Sequence, residues 1–476
     1  MKRQTGLLFT AIVAVSVIVV LIATGPEKSD KGLFQGDLDE NQLLARDLFR
    51  QLIEIDTTHS TGDTSVAANA MEDRLLSAGF AAEDVRVLGE IPNRGNLVAR
   101  LHGDGSREPI LLLAHLDVVE AEKTDWSVDP FEFLERDGYF YGRGTADDKA
   151  QAAIWIAILI RMKKEGYAPN RDIIVALTAD EEGGDNNGVA WLLGNHRDLI
   201  EAEYVLNEGG RGAIIDGKKV FNAVQVSEKI YQSFRIDVRN RGGHSSLPVP
   251  ENAIYTLAQV LLNIAAYEFP VNLSEDTKIF FEKMAPTQTT AIASDMLAVS
   301  RSPTDPDAAA RLAKNPALNA MLRTTCVATG LSGGHAENAL PQLASAVINC
   351  RILPGESSEM VQAALAELIA NEKIQLTSIW DGVASNPSPL LPEIFESVEN
   401  ISARIWPGVI VTPIMIPGAT DGLYLRNAGI PTYGVTGMFF DINDTRAHGM
   451  DERILVQSFF EGQEFLYQLV SELSSE

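Results

Sequence analysis

The chain predicts an α/β fold, a mixed and mostly parallel sheet with helices on both faces, into which a smaller α+β layer is inserted. Three observations lead there. Aliphatic runs without alternation, Ile110-Leu-Leu-Leu-Ala114, Ile173-Ile-Val-Ala-Leu177 and Tyr204-Val-Leu206, read as strands buried on both faces. Helical stretches such as 150–164 alternate with them, as a parallel sheet requires for its crossovers. From Tyr231 the pattern changes, because Tyr231-Gln-Ser-Phe-Arg-Ile-Asp-Val238 alternates as a half-exposed strand does.

Met1-Lys-Arg-Gln-Thr5 precedes an uncharged run over 6–25, long enough for a helix to cross a bilayer. Lys2 and Arg3 favour the cytoplasmic side, which puts the rest of the chain on the periplasmic or extracellular side of a membrane. The rival is a cleaved signal peptide, against which stand the long apolar core and Pro26 directly after Gly25. The polar stretch 26–40 reads as a tether. What remains is too long for one ordinary core. Residues 41–227 and 383–476 share the strand and helix alternation and form one discontinuous domain. Residues 228–382 form the inserted layer, with amphipathic helices over 252–266 and 358–371. The stretch 300–315, rich in Pro, Asp and Ala, reads as a surface excursion.

The chain has 39 basic and 65 acidic residues, a formal charge of −26, which makes nucleic acid and anionic membrane surfaces improbable partners. Its two cysteines, Cys326 and Cys350, fall in strands flanking the Asn338 turn. They are either a cross-strand disulfide of an oxidising compartment or two buried thiols. Neither has the CxxC spacing or the neighbouring base of a metal pair or nucleophile.

Polar residues gather where these strands end. His115 and Asp117 close the first aliphatic run, and Asp147 lies in the tight Gly142-Arg-Gly-Thr-Ala-Asp147 loop before a helix. Asp180-Glu181-Glu182 follows the second run, and Glu208 follows the third. Far downstream, 431–435 leads to a loop with His448, and a helix over 451–473 returns that loop to the sheet. Ligands at strand ends suit an open parallel sheet. Taken alone, Asp-Glu-Glu before Gly-Gly is a solvated loop; the convergence is what distinguishes it. Two imidazoles with three carboxylates suit zinc or a similar divalent ion. His102, His196 and His335 lie among polar or turn residues and receive no role. His59, in Asp56-Thr-Thr-His-Ser60, serves either a turn or a polar loop near the site.

The order of these motifs resembles the M20 family of co-catalytic zinc exopeptidases and amino-acid deacylases, and most closely its carboxypeptidase-S-like branch. The resemblance covers nearly the whole chain after the N-terminal segment. It rests on His-Leu-Asp-Val-Val at 115–119, Trp126 with Asp129-Pro-Phe131, and Asp137-Gly138 leading to Gly142-Arg-Gly144. It continues through Asp147-Asp-Lys149, Asp180-Glu-Glu182, Glu208-Gly-Gly210 and Gly243-His-Ser-Ser246. Asn338-Ala-Leu-Pro341 with Arg351, Gly418-Ala-Thr-Asp421 and His448 complete it.

The resemblance implies two zinc ions, with cobalt or manganese as substitutes. His115 and Glu208 would hold one ion and Glu182 and His448 the other, with Asp147 as the bridge. Glu181 would be the general base for a water between the ions, which ionises near neutral pH. Asp117 is placed to accept the other ring N–H of His115 and fix its tautomer. In the inserted layer, then a lid and dimerisation domain, His244 would stabilise the oxyanion from its own or a neighbouring subunit. Asn338 and Arg351 match substrate-contacting positions; Arg351 either binds a carboxylate or pairs with a local acid. Gly418 belongs to a turn that either presents backbone amides to a carboxylate or is turn chemistry alone.

The implied activity is hydrolysis of an amide bond next to a free carboxylate, in small peptides losing a C-terminal residue or in N-acyl amino acids. The alternatives are a biosynthetic-type deacetylase or desuccinylase and a non-hydrolytic peptide-binding protein on the same fold. The family also implies a homodimer through the lid as one of two states.

Overall fold

The computed structural model describes residues 37–475 apart from 184, 185, 302 and 381. The expected membrane segment 6–25 and most of the tether lie outside the described residues. Among the described residues no helix is long and apolar enough to cross a membrane.

The aliphatic runs form the centre of a ten-stranded sheet. Its order is 85–88, 96–101, 173–178, 110–115, 204–207, 432–434, 218–228, 211–215 and 439–441, with 410–416 also pairing to 218–228. The neighbours 173–178, 110–115, 204–207 and 432–434 run parallel, whereas 96–101 is antiparallel to both its neighbours and 211–215 is antiparallel to 218–228 but parallel to 439–441. The sheet is therefore mixed, with a parallel centre buried on both faces as its sequence requires. Register sets His115 beside Thr178 and Asn207 beside Gly434, so the segments that follow these strands emerge at one edge.

Helices cover both faces. On one, Glu40–Ile53, Lys149–Glu165 and Val456–Leu473 share a core with the sheet, and Phe49 stacks on Phe459 at 4.8 Å between ring centroids. The helix Lys149–Glu165 is apolar nearly all round and buried along almost its whole length, as a central helix must be. Its Trp155 is fully buried and donates its indole N–H to the Leu113 carbonyl at 3.0 Å. Each such large apolar side chain contributes about 1.5–3 kcal/mol on burial. The other face packs against Gly188–Asn195 and Gly422–Asn427 through Val189, Leu192 and Leu425.

The alternating strand at 231–238 is Ile230–Arg239, the centre of a separate four-stranded antiparallel sheet ordered 325–333, 343–352, 230–239 and 375–380. Helices Ala253–Ala266 and Ser358–Ile369 cover one of its faces. Cys326 and Cys350 are opposite each other in its register, 4.1 Å apart at Cα, and form a disulfide.

The stretch 300–315 is not a surface excursion. It contributes the helix Pro306–Leu312 to a group over 275–322 whose Phe280, Phe281, Met296, Ala308 and Leu312 are buried with Phe221, Ala223 and Ile414 of the large sheet. These helices, expected in the inserted layer, thus pack on the large sheet instead. Their Ala-rich sequence hid that, because small side chains leave little periodic signal.

Between the two sheets lies Lys229. Its side chain is 1% exposed and donates to the Arg323 carbonyl at 2.7 Å, and burial pushes its ammonium down to about 7. The unfolded chain therefore binds an extra proton between about pH 7 and the ordinary lysine value, and the penalty for burying the charge is complete below that window. Stability rises with pH across it, by at most about 1.4 kcal/mol per pH unit for one proton. Urea unfolding of wild type and Lys229→Met at pH 6.5, 8 and 9.5 should show a steeper rise for wild type; equal slopes would refute this.

Candidate metal centre

At the sheet edge the loop 142–148 brings Asp147 between two imidazoles. Asp147 Oδ1 lies 3.0 Å from His115 Nε2, and Asp147 Oδ2 lies 3.1 Å from His448 Nε2. One carboxylate facing two rings through separate oxygens has the form of a bridging ligand. His448 Nε2 is also 2.8 Å from Glu182 Oε1. Potential ligand atoms of His115, Asp147 and Glu182 lie within 4.8 Å of one another, and so do those of His115, Glu181 and Glu208. His115 belongs to both groups. The five expected ligands and the expected base therefore converge, although the grouping puts Glu182 with His115 as well as with His448.

The segment that delivers the acids turns at Asp180, whose φ is 59°. Its carboxylate is held 2.9 Å from Arg94 Nε. Beyond it, the amides of Glu181 and Glu182 donate to the two oxygens of Asp117, at 3.1 and 2.9 Å. This corrects the role expected of Asp117. It is the Asp117 backbone carbonyl that meets His115 Nδ1, at 2.9 Å, while the carboxylate stands 3.6 Å away and caps the turn. Asp117 does both, its carbonyl meeting the ring and its carboxylate the turn, because the chain bends there.

Two further segments meet through a buried ion pair. Arg143 Nη1 lies 2.5 Å from Glu452 Oε2, with side chains 2% and 0% exposed. Glu452 Oε1 accepts from the Ala146 amide at 2.7 Å, and Arg143 Nη2 donates to the Gly449 carbonyl at 3.0 Å. The neighbours of Asp147 and of His448 are thus fastened together across 305 intervening positions' worth of fold, not by the ligands alone. Asp421, buried, accepts from Thr178 Oγ1 at 3.1 Å and Asn187 Nδ2 at 2.5 Å. None of Arg143, Glu452 and Asp421 was singled out from sequence, although the first and last stand in quoted motifs and Glu452 lies four positions beyond His448.

The electrostatics call for cations. Burial, then the charge of Asp147, pushes Glu182 up to about 7, and burial pushes Glu181 and Glu208 well above the carboxylate range. Burial would raise Asp147 also, but its bonds to His115 and His448 hold it well below that range. Burial would lower His448, but Asp147 and Glu182 push it up to about 11. Imidazole nitrogens and carboxylate oxygens in this number fit zinc and its divalent substitutes.

The inserted sheet supplies less to the centre. His244 and Asn338 are exposed on a short ladder, 243–244 against 339–340, where Ser245 N–H donates to the Asn338 carbonyl at 3.0 Å. His244 Nδ1 is 2.7 Å from Ser246 Oγ, and none of its described bonds reaches the carboxylates. Arg351 and Gly418 do come together: Arg351 Nη1 donates to the Pro417 carbonyl at 3.3 Å and its guanidinium lies 4.5 Å over the Tyr231 ring. Among the described residues it has no acid partner, against the local-acid alternative. At Gly418 an added Cβ would meet only Ile416 Cδ1, at 4.0 Å, so its backbone does not require glycine. His59 is exposed, with Nδ1 3.8 Å from Asp180 Oδ1, and its carbonyl accepts from Arg94. His102 bonds Asp84 at the surface.

This fold and this donor set belong to a metallohydrolase class. Residues 111–472 match Peptidase family M20/M25/M40, and the chain belongs to that family. It is similar to N-fatty-acyl-amino acid synthase/hydrolase PM20D1 of Homo sapiens, 29% identical over 382 residues that cover 77% of this chain and 74% of that protein. It is also 29% identical over 377 residues to "Probable carboxypeptidase S-like 2" of Dictyostelium discoideum, covering 77% of this chain and 72% of that protein. The M20 family metallo-carboxypeptidase Sso-CP2 from Sulfolobus solfataricus has the same fold, with a TM-score of 0.68 at 15% identity over 92% of this chain and 99% of that one. The chain is an M20-family amidohydrolase.

Removing one partner of a fully buried ion pair leaves a stranded charge, at a cost of about 3–5 kcal/mol. Glu452→Met should therefore destabilise the protein by that amount in urea unfolding, and adding Arg143→Met should recover part of it. A double variant no more stable than Glu452→Met would show that the pair does not act as a unit.

Proposed function

We propose that the chain hydrolyses the amide bond next to a free carboxylate, in small peptides losing their C-terminal residue or in N-acyl amino acids. The observation that carries this is Asp147 shared between His115 and His448, with Glu181 beside Glu208 in the same cluster. The names of the relatives, an N-fatty-acyl-amino acid hydrolase and a carboxypeptidase-like protein, support the same bond.

Two zinc ions are the proposed cofactors, held by His115 and Glu208, by Glu182 and His448, and by Asp147 between them. Bound there, zinc supplies Lewis acidity and a water that ionises near neutral pH. Glu181 takes the proton of the attacking water and returns it to the leaving amine. Asp117 fixes the direction of Glu181 by binding its amide. The substrate's carboxylate is received by Arg351 beside the 417–421 turn, where a cation with no described acid partner meets the Pro417 carbonyl. His244 is exposed, so its contact with the oxyanion requires the inserted layer to close over the centre.

The disulfide between Cys326 and Cys350 supports a location outside the cytoplasm, with 6–25 as membrane anchor or signal. The edge strand 325–333 supports a dimer through the inserted layer. It leaves Val327 and Leu331 exposed at 58% and 74%, beside Tyr255 and Leu262 at 71% and 64% on the helix that packs against it. Bare apolar edge strands are usually covered.

Two outcomes test the reading. With dipeptides and N-acyl amino acids as substrates, chelator should abolish amino-acid release and zinc restore it, and Glu181→Gln should lower turnover by about 10²–10⁴-fold with metal content unchanged. An active Glu181→Gln enzyme would remove Glu181 from the mechanism, and metal-loaded protein releasing nothing would favour a binding protein. In sedimentation, Leu331→Lys should convert a dimer to a monomer; a wild-type monomer would exclude the dimer.

A further inference from the structure

The chain passes from the large sheet to the inserted sheet at a single point, where strand Lys218–Glu228 ends and Ile230–Arg239 begins. Glu228 lies there with its side chain 3% exposed, against Arg426, also 3% exposed, at 2.7 Å. Its Oε2 accepts from the Thr420 amide at 3.1 Å, from Thr420 Oγ1 at 2.9 Å and from Gln225 Nε2 at 2.9 Å. The chain's return crossing is fastened to the same pair, since Arg426 Nε donates to Ser385 Oγ at 3.2 Å and Asn427 Nδ2 to the Ala384 carbonyl at 2.9 Å. The first departure from the large sheet and the last return to it therefore converge on one buried carboxylate.

That carboxylate grips the turn 417–421 in its middle. At one end of the turn the inserted sheet touches the Pro417 carbonyl through Arg351; at the other, Asp421 is buried against Thr178 and Asn187 beside the metal-binding acids. A buried charge is costly unless its geometry is held, and here one carboxylate oxygen gathers three donors while the other faces the Arg426 guanidinium, which fixes those groups in one arrangement. We propose that Glu228 is a positioning residue for the substrate site: it couples the orientation of the inserted sheet to the 417–421 turn, so that Arg351 and the turn form the carboxylate-receiving site together. This rests on the reading that Arg351 and the turn receive the substrate's carboxylate.

The test is a double-mutant cycle on the full-length, zinc-loaded enzyme with Glu228→Gln, Arg351→Ala and both. Glu228→Gln should raise KM about tenfold with kcat and metal content little changed, and it should add nothing to Arg351→Ala, because coupled residues are non-additive. Effects that multiply, an unchanged KM, or a loss of metal would overturn the proposal. Thr420→Val, which keeps both charges, should give a smaller rise in KM with the same non-additivity, and serves if Glu228→Gln does not fold. Amide hydrogen exchange at 418–421 reads the coupling without turnover. Arg351→Ala should speed it in wild type and not further in Glu228→Gln; equal acceleration in both backgrounds overturns the proposal. Intact coupling in an enzyme inactive on carboxylate substrates would overturn the substrate reading alone.

Discussion

The constraint on which the rest of this structure depends is the crowding of carboxylates around Asp147. Asp147, Glu181, Glu182 and Glu208 share a small partly buried space with only two imidazoles to balance them. Like charges at such distances cannot all ionise unless positive charge lies between them. Burial and mutual repulsion push the carboxyls of Glu181 and Glu208 up, and the carboxylates facing His448 push its imidazole up. Divalent cations relieve this, since they let every carboxylate remain charged and still be attracted. A cluster of this kind is therefore selective for metal by its own repulsion, and the surrounding fold must supply the rigidity that keeps the acids from moving apart.

That rigidity comes from different parts of the chain. The proposed ligands lie at 115, 147, 182, 208 and 448, and the sheet brings most of them to one edge by parallel pairing. His448 has no such strand. It sits in a loop with φ of 63°, held by the Arg143–Glu452 pair and by the helix Val456–Leu473. That helix buries Phe459, Phe465, Leu466 and Leu469 in the main core. The apolar packing of the last helix is thus what places the last ligand, and the ion pair aligns it with the Asp147 loop. Packing supplies the stability and polar bonds supply the aim, which agrees with the modest net value of each hydrogen bond against the apolar total.

The buried aliphatic runs and the polar residues that end them were legible in the sequence because both signals are local: a strand buried on two faces has no alternation to confuse, and a histidine or glutamate at its end has few structural uses. The Arg143–Glu452 pair was not legible, because two charged residues 309 positions apart carry no sign of meeting. Asp117 was placed correctly but given the wrong atom, since only the bend of the backbone decides whether carbonyl or carboxylate faces the ring. The helices at 275–322 were assigned to the wrong neighbour because the order of elements along the chain does not say which face a helix chooses.

The carboxylate substrate proposed above would have to approach a centre that is itself rich in acid, on a protein of formal charge −26. Cations bound by the cluster remove the local repulsion but give no direction to the substrate. Direction needs a positive group whose charge is not already spent. The buried arginines Arg143, Arg323 and Arg426 each face a carboxylate. Arg351 instead lies over an aromatic ring with a carbonyl for partner, and burial lowers its pKa without freeing it of charge. A desolvated guanidinium in that setting gains more from a carboxylate than an exposed one would, because the cost of drying it has already been met in folding. The same physical reason that makes the metal cluster bind cations thus makes Arg351 the natural seat for the opposite charge. The 417–421 turn touches Arg351 at one end, and at the other its Asp421 is fixed by Thr178 and Asn187, which ties the turn to the strand and loop that carry Glu181 and Glu182.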